Sequence, residues 1–415
     1  TVSVLYWLAA WGNAPLRFFA AVAFLCSSKP QFVTSLSRRI AGTMGQLCSG
    51  GDDGGHVREG AGSSTKVVRG AAAAKFAYQL AGARRENQEL PHQASRDPND
   101  YQSSGLVGGT FVRLPGQIND QRINIDGGKD SVFLLLDHCD SVQVDECEGC
   151  TFYIGPTTGS VFLRGLVKCK VVVLGGQIRL RDCRDTDMAL HTRSRPVIES
   201  SKNIGIGCFA GPQYLDLRWQ LARASLSVYD NIYSAVHDFT PAPGNWHLLP
   251  PAQAAALIPS LEPLLPPGAA IDGEGDVARV VPVLHGGAHD ERALRNGAVL
   301  LCRAGYQSET ETLLWDVVQA EPSALLQAGE VRLTEDKAAA LARAHPRLKG
   351  DVLRAKDVHV MLVLRGDSPV VAERLDEWCK RSEVLLGLPA GDTAANVRDV
   401  MLSTAGTDNG FGQAF

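Results

Sequence analysis

Ile125, Val144, Leu163, Leu180 and Val197 recur at spacings of 19, 19, 17 and 17 residues, and this repeat restricts the fold more than any other feature. Three residues after each come Gly128, Cys147, Leu166, Cys183 and Ser200, and three further on Ser131, Cys150, Cys169, Thr186 and Asn203. Short apolar runs flank these points: Ser141 to Val144, Thr151 to Ile154, Val161 to Leu163, Lys170 to Leu174 and Ile178 to Leu180. One such unit cannot bury its own apolar face, whereas stacked units close a continuous core. A period of about 18 residues is one coil of a parallel β-helix; helical repeats need periods above about 30 and a sustained 3.6-residue pattern. Residues 105–250 are therefore expected to form a parallel β-helix.

The repeat also bears on the cysteines, five of which lie between Cys139 and Cys183. Cys147-x-x-Cys150 with Cys169 and Cys183 has a zinc-site reading. Zinc ribbons pair two close dyads, however, and the same rungs elsewhere carry Gly, Leu, Ser and Thr. Stacking of small buried side chains is favoured, with no metal expected. Ten cysteines in 415 residues are too few for a disulfide scaffold and suit a reducing compartment.

The rest of the chain divides around the repeat. Residues 251–296 are polar and proline-rich and read as a linker. In residues 297–415, Ala298 to Arg303 and Val358 to Leu364 read as core strands, with a weaker strand near Glu330 to Leu333 and another at Val384 to Leu388. Helices are expected from Ser308, which opens a capping-box pattern, from Glu335, from Ser368 and from Thr393. The alternation suggests a ferredoxin-like split βαβ sandwich. A net charge of −4 gives no reason to expect nucleic acid as a partner.

Before the repeat, residues 1–43 hold an apolar run broken by Asn13, Pro15 and Arg17, and read as a leader or a non-native extension. The first methionine is Met44, and Met44-Gly45-Gln46-Leu47-Cys48-Ser49 fits the N-myristoylation pattern. One myristoyl chain binds membranes only marginally. Palmitoylation of Cys48 is the second signal expected, since Asp52, Asp53 and Glu59 leave no basic patch nearby. Residues 44–104 are then a lipidated amino terminus and a flexible tether.

Side chains alternate along a strand, so with Ile178 and Leu180 inward, Arg179 and Arg181 face outward. On neighbouring rungs the equivalents of Arg179 are Asn124, Gln143, Phe162 and Pro196, and Glu199 aligns with Asp182. Residue type alone leaves two readings: a solvated edge on which Asp182 pairs with arginine, or a functional arginine face.

A resemblance separates them. The span Gly105 to Pro250 is similar to the tubulin-cofactor-C family through Val112-Arg-Leu-Pro-Gly116, Gly155-Pro-x-x-Gly-Ser-Val-Phe162, Gln177-Ile-Arg-Leu-Arg-Asp-Cys-Arg184, Pro196-Val-Ile-Glu-Ser-Ser201, Gly207-Cys-Phe209 and His237-Asp-Phe-Thr-Pro241. The family resemblance implies a right-handed β-helix that activates an Arf-like small GTPase in its GTP state. It places an arginine finger on Arg179, with Gln177 and Glu199 in support and Arg181 and Asp182 at the partner surface. Residues 297–415 resemble a nucleoside-diphosphate-kinase-like domain, although the Asn-x-x-His-Gly-Ser-Asp motif is absent and His345 and His359 lack that context. The chain is thus expected to act in trans without a cofactor, and not as a kinase. Trafficking of lipidated proteins at the cytoplasmic face of the plasma membrane or the cilium follows by analogy. The competing expectations are activation of tubulin and a non-catalytic membrane-anchored scaffold.

Overall fold

A computed structural model describes residues 97–405, apart from 270, 272–278, 288–289, 333 and 346–356. Gly45 and Cys48, the leader and most of the tether therefore lie outside the described residues. The first strands are β1 (Gln102–Ser104), β2 (Thr110–Arg113), β3 (Ile123–Asp126), β4 (Val132–Leu135) and β5 (Val142–Asp145). They are followed by β6 (Thr151–Arg164), β7 (Lys170–Arg181), β8 (Arg184–Thr192), β9 (Val197–Glu199) and β10 (Lys202–Cys208). Helix α1 (Leu217–Arg223) and strands β11 (His237–Asp238) and β12 (Trp246–Leu248) complete this part. All pairings among these strands are parallel, and the chain coils through about six turns of a β-solenoid. The coil begins before Gly105, because Gln102 to Ser104 pair with Asn124 to Asp126.

The turns explain why the repeat is tolerated. Gly127, Glu146, Gly165, Asp182 and Ser200 all take positive φ, between 50° and 67°. They mark the same corner of successive coils, where a left-handed residue swings the chain into the next face. Between corners the inward residues stack. Ile125 pairs with Val144, Val144 with Leu163 and Leu163 with Leu180, as the spacing implies. The ladder then continues to Ile198, not Val197. Ile198 is fully buried while Val197 is half-buried. The last interval is thus 18 residues, and Ser201 and Ile204 replace Ser200 and Asn203 on the following rungs. The cause is a run of adjacent apolar residues, Pro196-Val197-Ile198, that spacing alone cannot phase; a one-residue slip exchanges inward for outward faces.

Two expected pairs of short strands are single long ones: β6 and β7 each run across a bend, with register shifts in β6 between Ile154 and Ser160. The cysteines behave as ladder residues. Cys147, Cys150, Cys169 and Cys183 are buried free thiols that donate to backbone carbonyls, for example Cys183 to Leu163 and Cys169 to Val167. Burial pushes the Cys147 and Cys169 thiols up to about 12.

One outward face is apolar and is covered. Leu134, Tyr153, Val172 and Leu174 pack under Leu217 and Leu221 of α1, together with Leu257, Ile258, Leu261, Val280 and Val281. Much of the stretch read as a linker is therefore packed structure, including α2 (Pro251–Ala255) and α3 (Glu291–Arg295). Leucine, isoleucine and valine spaced among its prolines supply that burial.

The carboxy-terminal part contains β13 (Ala298–Cys302), α4 (Gln307–Ala320), β14 (Leu325–Arg332), α5 (Glu335–Ala344), β15 (Val358–Leu364), α6 (Pro369–Trp378), β16 (Val384–Leu388) and α7 (Asp392–Ala405). Its sheet order is β14-β15-β13-β16 with every pair antiparallel, the interleaved arrangement of a ferredoxin-like split βαβ fold. Strand β14 is longer than its sequence suggests because Gln327, Ala328 and Gly329 are poor strand formers held by pairing with β15. Ser308 does not cap α4, which starts at Gln307. Ser368 does cap α6, its hydroxyl accepting from Val371 N–H at 3.1 Å. His359 is a core residue, its Nδ1 3.2 Å from the Cys302 carbonyl oxygen, and burial lowers its pKa.

Candidate functional site

The second half of β7 presents Gln177, Arg179 and Arg181 on the outward face, alternating with the buried Ile178 and Leu180. Parallel stacking gives each a defined pair of neighbours. Arg179 lies across from Phe162 on β6 and Val197 on β9. Its outward ladder is therefore Asn124, Gln143, Phe162, Arg179, Val197 and His237, with valine in the place expected for Pro196. Flanked by two apolar side chains, the guanidinium is half-buried, and desolvation lowers its pKa. It remains a cation at any physiological pH.

The adjacent outward ladder is charged: Asp126, Asp145, Arg164, Arg181 and Glu199. Arg164 grips Asp145 through two contacts, one of them at 2.7 Å. Arg181 contacts Asp182 at 3.3 Å, both side chains being exposed. Glu199 is in register with Arg181, not with Asp182, a correction that follows from the shifted rung. Its carbonyl accepts from the Asp182 N–H at 3.1 Å and from the Ser201 hydroxyl at 2.9 Å, which fixes the corner. Gln177 accepts from the Ser160 hydroxyl at 2.7 Å and is held in the sheet beside the arginines.

The five residues singled out on the β-helix, Arg179, Gln177, Glu199, Arg181 and Asp182, thus share one surface. Of its apolar members, sequence reasoning placed Phe162 beside Arg179 but missed Val197 and Phe239. Phe162 and Val197 border Arg179, and Phe239 follows β11 with 43% of its surface exposed, its ring edge-on to His237 at 4.6 Å. The signal for Phe239 was present in the His237-Asp-Phe-Thr-Pro241 motif, where an aromatic follows a strand at the margin of the sheet. A cation set among aromatic and aliphatic groups on a rigid sheet can enter an anionic pocket of another molecule with little loss of conformational entropy.

Residues 120–239 match the family model described as tubulin binding cofactor C. This stretch of the β-helix is similar to the tubulin binding cofactor C domain. The chain is 36% identical to Protein XRP2, the retinitis pigmentosa 2 protein, of Mus musculus over 156 residues, covering 37% of this chain and 45% of that protein. It is 35% identical to Protein XRP2 of Homo sapiens, covering 37% of this chain and 44% of that one. Tubulin-folding cofactor C of Arabidopsis thaliana is 32% identical over 114 residues, covering 26% of this chain and 32% of that protein. The chain thus spans less than half the length of these curated relatives. Among solved structures, tubulin binding cofactor C from Leishmania major aligns with 22% identity and a TM-score of 0.25, covering 35% of this chain and 89% of that one. The match to the cofactor C model includes every one of the five site residues, on β7, on β9 and at the corner after β7.

Proposed function

We propose that this chain is a GTPase-activating protein whose cofactor C domain inserts Arg179 into the nucleotide site of an Arf-like small GTPase in its GTP state. The observation that carries the reading is the half-buried Arg179, set between Phe162 and Val197 on a rigid outward ladder. The transition state of phosphoryl transfer spreads negative charge over the γ-phosphoryl oxygens and the leaving oxygen. A guanidinium brought to it with water excluded accelerates hydrolysis by about 10³–10⁵. Apolar flanks serve that end, since they seal around the inserted cation. Glu199 lies one diagonal step from Arg179 and orients its stem, Gln177 supports the partner's nucleotide-facing loops, and Arg181 with Asp182 meets the partner surface.

The chain supplies one residue to a site completed by the partner, so it acts in trans without a cofactor. We read the carboxy-terminal domain as nucleoside-diphosphate-kinase-like in topology and non-catalytic, because His359 is used in the core. The acceptor pattern at Gly45 and Cys48 supports a doubly acylated protein on the cytoplasmic face of the plasma membrane or at the cilium, serving the traffic of lipidated proteins. Intact mass of the native protein tests this: a chain lacking both acyl groups sinks the membrane reading.

A second reading is favoured by the likeness to proteins named tubulin-folding cofactor C and tubulin-specific chaperone C. There the same arginine acts on tubulin. Single-turnover GTP hydrolysis by a panel of Arf-like GTPases and by tubulin, with and without the full chain, separates the two. Stimulation confined to tubulin transfers the function to the second reading. Binding without stimulation of either leaves a scaffold and overturns both.

A further inference from the structure

Beyond the arginine face, where the chain turns the corner at Asp182 and at Ser200, lies a polar cleft of about 440 Å³. It is lined by Arg184, Ser200, Ser201, Lys202, Thr240 and Asn245. Arg184 and Lys202 come from successive coils and are direct register partners in the β8–β10 ladder. Two like charges set opposite one another on adjacent strands repel. The same face shows the usual remedy two and three coils before Arg184, where Glu148 pairs in register with Lys129 and contacts it at 3.5 Å. No such remedy is present at Arg184 and Lys202. Among the described residues neither side chain makes an ion pair or a hydrogen bond, and the carboxylates nearby are committed elsewhere. Asp185 accepts from Asn203 at 2.7 Å, Asp238 accepts from Asn245 at 2.9 Å, and Asp182 contacts Arg181.

We propose that this cleft is a binding site for a phosphate dianion, either the free ion or a phosphate carried on a partner's side chain. Two cations match a dianion better than a single carboxylate. Arg184 offers a planar fork of donors, and Lys202 a compact point charge. The hydroxyl of Ser200 completes the donor set, because its backbone N–H is already spent on Thr240 Oγ1 at 2.7 Å and Thr240 is thereby held against the rim. Ser201 is fixed behind it, accepting from Cys183 N–H and donating to the Glu199 carbonyl. The Ser201 and Thr240 hydroxyls are thus held in place, while the exposed Arg184 and Lys202 side chains are ordered on binding. Since Glu199 directly precedes Ser200, an occupied cleft lies beside the arginine face, yet the site stands on its own observations and does not rest on GTPase activation.

The test is calorimetric titration and thermal melting of the full chain with inorganic phosphate and, separately, with a phosphoserine peptide and its serine counterpart. Wild type binds phosphate saturably and its melting temperature rises with phosphate. Arg184→Ala or Lys202→Ala each weakens binding by about tenfold or more, and Arg295→Ala on α3 leaves it unchanged. Lys202→Glu removes binding while melting no lower than wild type, because the new carboxylate pairs with Arg184; this separates loss of the site from loss of the fold. Tighter binding of the phosphoserine peptide than of inorganic phosphate makes a partner side chain the source, and the reverse order makes it the free ion. No saturable binding by wild type, or undiminished binding by the Arg184→Ala/Lys202→Ala double variant, overturns the proposal.

Discussion

Arg179 faces Val197 across the β7–β9 ladder, so Glu199 stands two residues along the partner strand, on the diagonal from the arginine. Diagonal neighbours on one sheet face are about 7–8 Å apart at the backbone, within reach of a long guanidinium stem. Arg181 occupies the direct register position opposite Glu199, and its guanidinium contacts Asp182.

Replacing Arg179 by alanine should abolish stimulation of the partner GTPase, a loss of about 10³–10⁵ in single-turnover rate. The fold should persist, because the side chain projects from a rung whose core positions are Ile178 and Leu180. Affinity for the GTP-bound partner should fall far less than the rate. An alanine variant that stimulates hydrolysis like wild type would remove the finger from Arg179.

Glu199→Gln and Glu199→Gly should part company. The glutamine variant loses only a surface charge interaction and should slow activation by about two- to fivefold at unchanged melting temperature. The glycine variant also frees the backbone beside Ser200, whose φ is 50°, at a corner fastened through the Glu199 carbonyl. It should lower both the rate and the melting temperature. A glutamine variant that activates like wild type would show that the carboxylate contributes nothing.

The rung register is open to a stability measurement. Ile198→Ala removes a fully buried ladder residue and should cost about 2–5 kcal/mol in denaturant unfolding. Val197→Ala, on the outward face, should cost about 1 kcal/mol or less. The opposite ranking would restore the 17-residue interval and place Val197 in the core.

The buried His191 and the half-buried Asp230, near the carboxy-terminal sheet, should make the pH dependence of stability flatter than either alone. Burial lowers His191 from 6.5 to about 4, so between those pH values the unfolded chain binds the extra proton and acid destabilises. Desolvation, with Glu330 nearby, raises Asp230 from 3.8 to about 7, so over nearly the same range the folded chain binds the extra proton and acid stabilises. Each slope is about 1.4 kcal/mol per pH unit at full effect, with opposite sign. Asp230→Asn should leave a chain that loses stability steadily from pH 6.5 towards 4. His191→Gln should leave one that gains stability as pH falls from 7. Parallel pH profiles for wild type and both variants would contradict this balance.

The sequence determined the β-helix because a coil is a local, repeating object. Apolar residues every 17 to 19 positions, separated by small or turn-forming ones, have few other ways to be buried, and four of five ladder residues followed directly. Alternation also placed Gln177, Arg179 and Arg181 outward without reference to any neighbour. What tertiary structure alone decided was phase and company. Where Pro196, Val197 and Ile198 offered two registers, burial on the preceding rung chose Ile198, and that single step moved Glu199 from Asp182 to Arg181. The strands of the carboxy-terminal sheet were legible where valine and leucine dominate, but only the end of Leu325–Arg332 was, because its pairing with β15 overrides weak local preference in the first part. The cleft at Arg184 and Lys202 left no mark on the sequence, because the two cations are 18 positions apart and become opposed only when successive coils are stacked.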